Sequence, residues 1–178
     1  MEQSFVLAGF GGQGVILAGK ILAQAGADHG LQVTWLPSYG PEMRGGTANC
    51  TVVLSDEPIG SPVVDNPTVL VAMNLPSLDR FEKTVAKGGT ILINSSLIAR
   101  TAERNDLQVL NVPVNDIAVS LGNSHAANMV ALGTVIKATG TIPLELIKSA
   151  MVKMLSHKDN AELVAVNQQA LDAGYNAV

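Results

Sequence analysis

The 178-residue chain contains one cysteine, Cys50, and only three Phe, two Tyr and one Trp. A single thiol excludes an intrachain disulfide, and a cysteine-bound iron–sulfur cluster ordinarily needs several thiolates, so any electron carrier must come from another chain. Charge is scarce as well. Charged residues make up 15% of the chain and the formal net charge is -4, with no Lys/Arg-rich run and no basic–aromatic interleaving, which removes the electrostatic footprint of a nucleic-acid binder. Long apolar runs are missing: Val15 to Ala18 and Thr51 to Leu54 fall far short of the roughly 20 residues a membrane span needs. The N-terminus shows no basic region followed by an apolar stretch and a cleavage site, so a cytoplasmic protein is expected.

What remains is aliphatic. The hydrophobic fraction is 47% and there are seventeen Gly, a combination that suits helices packed closely on a sheet. The length fits one ordinary domain, and no repeat, low-complexity tract or linker divides it, so residues 1–178 are read as a single domain. Low charge with positive mean hydropathy suggests apolar surface covered by a partner, with an unusually full core as the alternative.

Periodicity and turn residues place the elements. Ser4 to Ala8 reads as a strand stopped by Gly9, and Gln13 to about His29 as a helix. Gln32 to Leu36 is a second strand, ended by Pro37. Residues 37–46 hold too many turn formers for a regular element, and Thr47 to Leu54 returns as a strand. After a Pro-rich loop over Ser55 to Pro67, Thr68 to Ala72 is a strand, Leu75 to Lys87 a helix closed by Gly88-Gly89, and Thr90 to Asn94 and Leu107 to Val112 are strands. The rest is helical: Asp116 to Leu121, His125 to Ala138, Pro143 to Ser156 and Ala161 to Ala173, with Pro143 suited to a helix start and Thr141 a candidate cap. The expected class is α/β, with a Rossmann-like start, a mostly parallel or mixed sheet covered by helices on both faces, and a helical C-terminus. Gln32 to Leu36 and Thr47 to Leu54, joined without a helix, form the candidate antiparallel pair.

Two segments carry candidate chemistry. Gly9-Phe-Gly-Gly-Gln-Gly14 satisfies G-x-G-x-x-G between a strand and a helix, where glycines allow positive φ and free N–H groups at the helix start face an anion. The ribose-binding acid expected at the end of the next strand is missing, since that strand ends Trp35-Leu36-Pro37-Ser38 and Asp28 lies too early. Three readings stay open for this turn: a structural turn with no ligand, a site for a phosphate-bearing ligand such as coenzyme A, or free NAD binding. Lys20 reads as a solvated charge.

The second segment, Ser38-Tyr-Gly-Pro-Glu-Met-Arg-Gly-Gly-Thr-Ala-Asn-Cys50, sets Tyr39, Glu42 and Arg44 among glycines. Arg44 is the best single functional charge, because a guanidinium flanked by Gly45 and Gly46 can hold a phosphate or carboxylate bidentately; a salt bridge to Glu42 or to a partner is the structural alternative. Tyr39 reads as a contact or as partly buried beside Trp35, and Met43 as packing. Asn128, in an apolar helix, is expected to hydrogen-bond a loop in the interior. His29, His125 and His157 lack metal-ligand spacing, Ser95-Ser96 lacks a hydrolase elbow, and Cys50 reads as a small buried apolar residue.

Gly9 to Gly14, the 38–50 loop and Ser55-Asp-Glu-Pro-Ile-Gly-Ser-Pro62, in that order, resemble the gamma subunit of 2-oxoacid:ferredoxin oxidoreductases, and the likeness runs on through Asn128-Met-Val-Ala-Leu-Gly133. The resemblance implies an enzyme that decarboxylates a 2-oxoacid oxidatively on thiamine diphosphate with magnesium, passes electrons through iron–sulfur clusters to ferredoxin, and transfers the acyl group to coenzyme A. It further implies alpha and beta thiamine-binding partners and a ferredoxin-like delta partner. The gamma subunit itself would help to bind coenzyme A and assemble the complex, with no catalytic residue and no metal of its own. Candidate ligand or interface residues are Gly9, Gly11, Gly12, Gln13, Gly14, Arg44, Gly45 and Gly46. The loop reads most like 2-oxoglutarate enzymes, with pyruvate and branched-chain types next to it.

Overall fold

The computed structural model describes residues 1–38, 47–156 and 160–178. Within them, six strands form one mixed sheet in the order β2-β3-β1-β4-β5-β6: β1 is Glu2–Phe10, β2 Gln32–Ser38, β3 Thr47–Ser55, β4 Val69–Ala72, β5 Thr90–Asn94 and β6 Gln108–Val112. β1, β4, β5 and β6 run parallel. β3 is antiparallel to both β1 and β2, as the helix-free connection between β2 and β3 predicts. The start of β4 is sewn to β1 by a reciprocal pair, the Ser4 and Thr68 N–H groups each donating to the other residue's hydroxyl.

Alternation along each strand divides the core in two. Phe5 and Leu7, Cys50, Val52 and Leu54, Val69 and Val71, and Leu92 face one side; Val6, Ala8, Leu70, Ala72, Ile91 and Ile93 face the other. The first side carries α1 (Val15–Asp28), α3 (Val114–Ser120), α4 (Ala127–Thr139), α5 (Leu144–Leu155) and α6 (Ala161–Tyr175). Among the described residues, the second carries only α2 (Leu75–Phe81), through Leu78, together with Val85 and Ile98. Helices therefore cover both faces, but unequally. Each large aliphatic side chain buried this way contributes about 1.5–3 kcal/mol.

α1 buries Val15, Ala18, Ile21, Leu22 and Ala25 along one stripe, the i, i+3, i+4, i+7 spacing of a helix lying on a sheet. α4 is buried from Ala127 through Ile136, because it contacts α1, α3, α5, α6, β4 and β5. Its seam with α6 is closed at backbone distance: a Cβ on Gly133 would overlap the Leu171 carbonyl, and one on Gly174 the Val130 carbonyl. Thr134 Oγ1 bridges the same seam, donating to the carbonyls of Val130 and Gly174 at 2.9 and 3.0 Å.

Three local expectations change. β2 does not stop at Leu36; Pro37 and Ser38 stay in register opposite Cys50 and Asn49, which an edge strand tolerates because only alternate N–H groups face its one neighbour. The helix expected over Leu75 to Lys87 ends at Phe81 and tightens into a 3₁₀ turn over Glu82–Thr84. There Glu82 turns inward and Val85 takes up an extended backbone that buries it in the smaller core. Thr141 does not cap α5. Its hydroxyl bonds the Gln3 and Thr139 side chains, and Pro143 itself stands at the cap position.

Candidate functional site: the glycine turn at the C-terminal edge of the sheet

The segment after β1 turns because Gln13 N–H donates to the Phe10 carbonyl at 3.1 Å. The Gln13 side chain pins the turn from within: its Oε1 accepts from Phe10 N–H at 2.6 Å and its Nε2 donates to the Met73 carbonyl at 3.3 Å. Gly12 and Gly14 have φ of 91° and 74°, the left-handed region where a side chain is strained. At Gly9 the requirement is space, since a Cβ would stand 2.6 Å from Gln13 Oε1 and 2.9 Å from Met73 Cβ.

Two ties hold the turn from outside. Met73 N–H donates to the Ala8 carbonyl at 2.9 Å, and Asn128 Nδ2, from α4, donates to the Gly14 carbonyl at 3.0 Å. The interior hydrogen bond expected of Asn128 is thus made, and its loop is the glycine turn. The N–H groups of Gly11, Gly12, Gly14, Val15 and Ile16 meet no acceptor among the described residues. Unpaired donors at a helix start, carrying the positive end of the helix dipole, favour an anion.

A cleft lies on each side of the turn. The larger, about 460 Å³, is mostly apolar, with Phe10, Val15, Leu17 and Trp35 beside Gly11 and the amine-bearing Lys20. The smaller, about 190 Å³, is bounded by Gly12, Gln13, Met73, Asn115, Ser124 and His125. The larger lies past the C-terminal end of β1, and the smaller past the C-terminal ends of β1, β4 and β6, the edge at which open α/β sheets take their ligands.

Gly9, Gly11, Gly12, Gln13 and Gly14 are brought together in this one turn. Arg44, Gly45 and Gly46, with Tyr39, Glu42, Met43 and His157, lie outside the described residues. The strand ends that flank residues 39–46 nevertheless stand next to the turn, since Thr47 is opposite Phe10 and Ser38 is opposite Asn49. Cys50 is buried under α1, its Sγ donating to the Val15 carbonyl at 3.4 Å, and burial pushes its thiol up to about 12. A thiol so placed is a packing group and does not fit a cluster ligand. The end of β2, Trp35-Leu36-Pro37-Ser38, offers no acid for a ribose. His29 stands at the exposed end of α1, and no group of three or more His, Cys, Asp and Glu suited to a metal occurs among the described residues.

Sequence reasoning passed over Asn94 and Asn115. Asn94 Nδ2 donates to the Met73 carbonyl at 3.1 Å and to Asn115 Oδ1 at 2.7 Å, so a chain of amides links the ends of β4, β5 and β6. The available signal was an Asn closing one strand and another just past the next.

Residues 4–177 match the family Pyruvate ferredoxin/flavodoxin oxidoreductase, and the chain belongs to it. It is 44% identical over 170 residues to the ketoisovalerate oxidoreductase subunit VorA of Methanothermobacter marburgensis, covering 94% of this chain and 35% of that protein. The chain therefore spans about a third of the length of that relative. It is 35% identical over 158 residues to the 2-oxoglutarate synthase subunit KorC of the same organism, covering 85% of each. Among solved structures, it resembles a keto/oxoacid ferredoxin oxidoreductase gamma subunit from Geobacter sulfurreducens with a TM-score of 0.85 and 28% identity, across 98% of this chain and 97% of that one. The fold also matches a 2-oxoglutarate:ferredoxin oxidoreductase from Magnetococcus marinus, a structure with 2-oxoglutarate, coenzyme A and succinyl-CoA bound. The TM-score is 0.90 at 24% identity, over 99% of this chain and 31% of that one. No helix among the described residues is long and apolar enough to cross a membrane.

Proposed function

We propose that the chain is the gamma subunit of a 2-oxoacid:ferredoxin oxidoreductase, which oxidatively decarboxylates a 2-oxoacid to its acyl-coenzyme A and delivers the electrons to ferredoxin. The observation that carries this reading is near end-to-end agreement with a gamma-subunit structure, 98% of one chain on 97% of the other. The relatives divide among ketoisovalerate, 2-oxoglutarate and pyruvate, so the reading takes 2-oxoacids as a class. Thiamine diphosphate, magnesium and iron–sulfur clusters belong in this reading to alpha, beta and delta partners. The lone buried thiol here is unsuited to a cluster.

This chain's own part is binding and positioning. The unpaired N–H groups of Gly11, Gly12, Gly14 and the first turn of α1 suit a phosphate of coenzyme A, and Lys20 adds a positive charge along the same cleft. Coenzyme A, when bound, supplies the thiol that receives the acyl group. Arg44, Gly45 and Gly46 join this proposal on the sequence alone. Assembly draws support from large apolar side chains left on the surface: Phe10, Leu36, Leu75, Leu97 and Val119 are each more than two-fifths exposed.

The test is anaerobic co-purification of the tagged chain, followed by assay of the assembled enzyme against pyruvate, 2-oxoglutarate and branched-chain 2-oxoacids with coenzyme A varied. The expected result is association with thiamine-binding chains and a raised KM for coenzyme A in Arg44→Ala. A native protein that never associates with such chains would overturn the reading. Unchanged coenzyme A dependence in Arg44→Ala would reduce the loop's part to assembly.

A further inference from the structure

The polarity of the amide chain determines which atom of Asn115, a residue lining the smaller cleft, is left unpaired. The Met73 carbonyl can only accept, and it receives Gln13 Nε2 and Asn94 Nδ2. Asn94 must therefore present its nitrogen, and that nitrogen also donates to Asn115 Oδ1 at 2.7 Å. Asn94 Oδ1 is engaged by the Ser96 N–H at 3.3 Å. With its oxygen held by Asn94, Asn115 keeps its Nδ2 as a donor with no partner among the described residues.

The other groups around this cleft are of the same kind. Gln13 has both polar atoms committed to the turn, which leaves the Gly12 N–H, the Ser124 hydroxyl and the His125 imidazole beside Asn115 Nδ2. Among the described residues, no carboxylate lines the cleft. Asp116, next in sequence, is exposed, with its backbone N–H bonded to Ser96 Oγ. A concave site surrounded by donors, two of which can only donate, selects an acceptor-rich occupant. At about 190 Å³, against about 30 Å³ of liquid volume per water, it holds a phosphate or a short acid and is smaller than the roughly 300 Å³ at which drug-sized sites begin.

We propose that this cleft binds the terminal oxyanion of a small metabolite, a phosphate or a carboxylate, with Asn115 Nδ2 and the Gly12 N–H donating to it and Ser124 and His125 closing around it. The site is separate from the larger cleft on the far side of the turn and does not rest on coenzyme A binding there. Gly12 borders both clefts, so the informative variants lie at Asn115 and His125.

The experiment is an NMR titration of the full chain with inorganic phosphate, with acetate or succinate, and with chloride at matched ionic strength. The readout is the Asn115 side-chain amide and the His125 ring. Saturable shifts with phosphate or carboxylate but not chloride are expected, and the tighter arm names the source of the oxyanion. Asn115→Asp keeps an oxygen for Asn94 and replaces the outward NH₂ by a second oxygen; it should weaken binding by about tenfold or more. His125→Ala, at an exposed position, gives a second reading that does not depend on folding of the first variant and should weaken binding severalfold. Shifts no different from chloride, or unchanged affinity in both variants, would overturn the proposal. Phosphate shifts without any response to coenzyme A would support this site while counting against the coenzyme A reading above.

Discussion

Asn128 reaches across 114 positions of sequence to donate its side-chain amide to the Gly14 carbonyl at 3.0 Å, so the buried helix α4 holds the turn from which α1 departs. The same carbonyl accepts the Ala18 N–H that opens α1. One oxygen thus joins the first helix to the middle of the fold.

That pairing predicts non-additivity. Gly14→Ala puts a side chain at φ 74°, at a cost of about 1–2 kcal/mol, and its Cβ overlaps the Asn128 amide. Asn128→Ala loses the hydrogen bond but leaves the Gly14 carbonyl satisfied by Ala18, a cost of about 1 kcal/mol. The double variant is expected to be less destabilised than the sum of the two singles, because the second change removes the overlap created by the first. Urea denaturation of the four proteins measures the coupling; simple additivity would refute it.

Cys50 should be silent toward alkylating reagents in the folded protein. Burial raises its thiol to about 12, so the reactive thiolate is nearly absent at neutral pH and the sulfur is shielded as well. Iodoacetamide labelling under native conditions should be slow and should accelerate through the denaturant transition. Rapid native labelling would contradict the packing of Cys50 beneath Gly19.

On the thin side of the sheet, Glu82 is 3% exposed and takes the N–H groups of Glu103 and Arg104 together with the Arg100 guanidinium at 3.0 Å. Removing a buried carboxylate strands its donors, so Glu82→Ala should cost about 3 kcal/mol or more. Arg100→Ala should cost about 1 kcal/mol, because Glu82 keeps both backbone donors and Arg100 is partly exposed. Thermal melts that rank the two in reverse order would show that the ion pair, and not the backbone ties, anchors residues 100–104.

Acid should weaken the tie between α1 and α5. Lys153 Nζ at 2.7 Å and the Gln24 amide at 2.9 Å hold the Asp28 carboxyl below its ordinary 3.8. A carboxylate with a lowered folded pKa contributes stability that is fully present above the unfolded value and is lost as pH falls through the folded one. Lys153→Met is therefore expected to be less stable than the parent at neutral pH, with the gap closing in acid. Parallel urea midpoints across that range check it, and a gap independent of pH would assign the effect to packing.

The sheet was legible because its information is local. Short apolar runs such as Phe5 to Ala8 and Ile91 to Ile93, and the absence of a helix between β2 and β3, suffice for strands and for the one antiparallel member. Pro37 misled because its effect depends on β2 lying at an edge, which no window around residue 37 contains. The helix expected as far as Lys87 failed for a similar reason: Glu82 answers to donors at 103 and 104. In the site, the glycine turn could be read from its spacing, whereas the amide chain through Asn94 and Asn115 arises only when the ends of three strands meet. His125 was visible as a residue but not as a neighbour of Gly12.

The glycine seam between α4 and α6 bears on the order in which a growing chain can mature. Synthesis delivers the glycine turn well before Gly174, yet α4 gains its close backbone neighbour only when α6 arrives. A ribosome-bound fragment lacking α6 should therefore display the glycine turn with Asn128 poorly supported, and the unpaired amides of that turn would settle only after α6 has emerged.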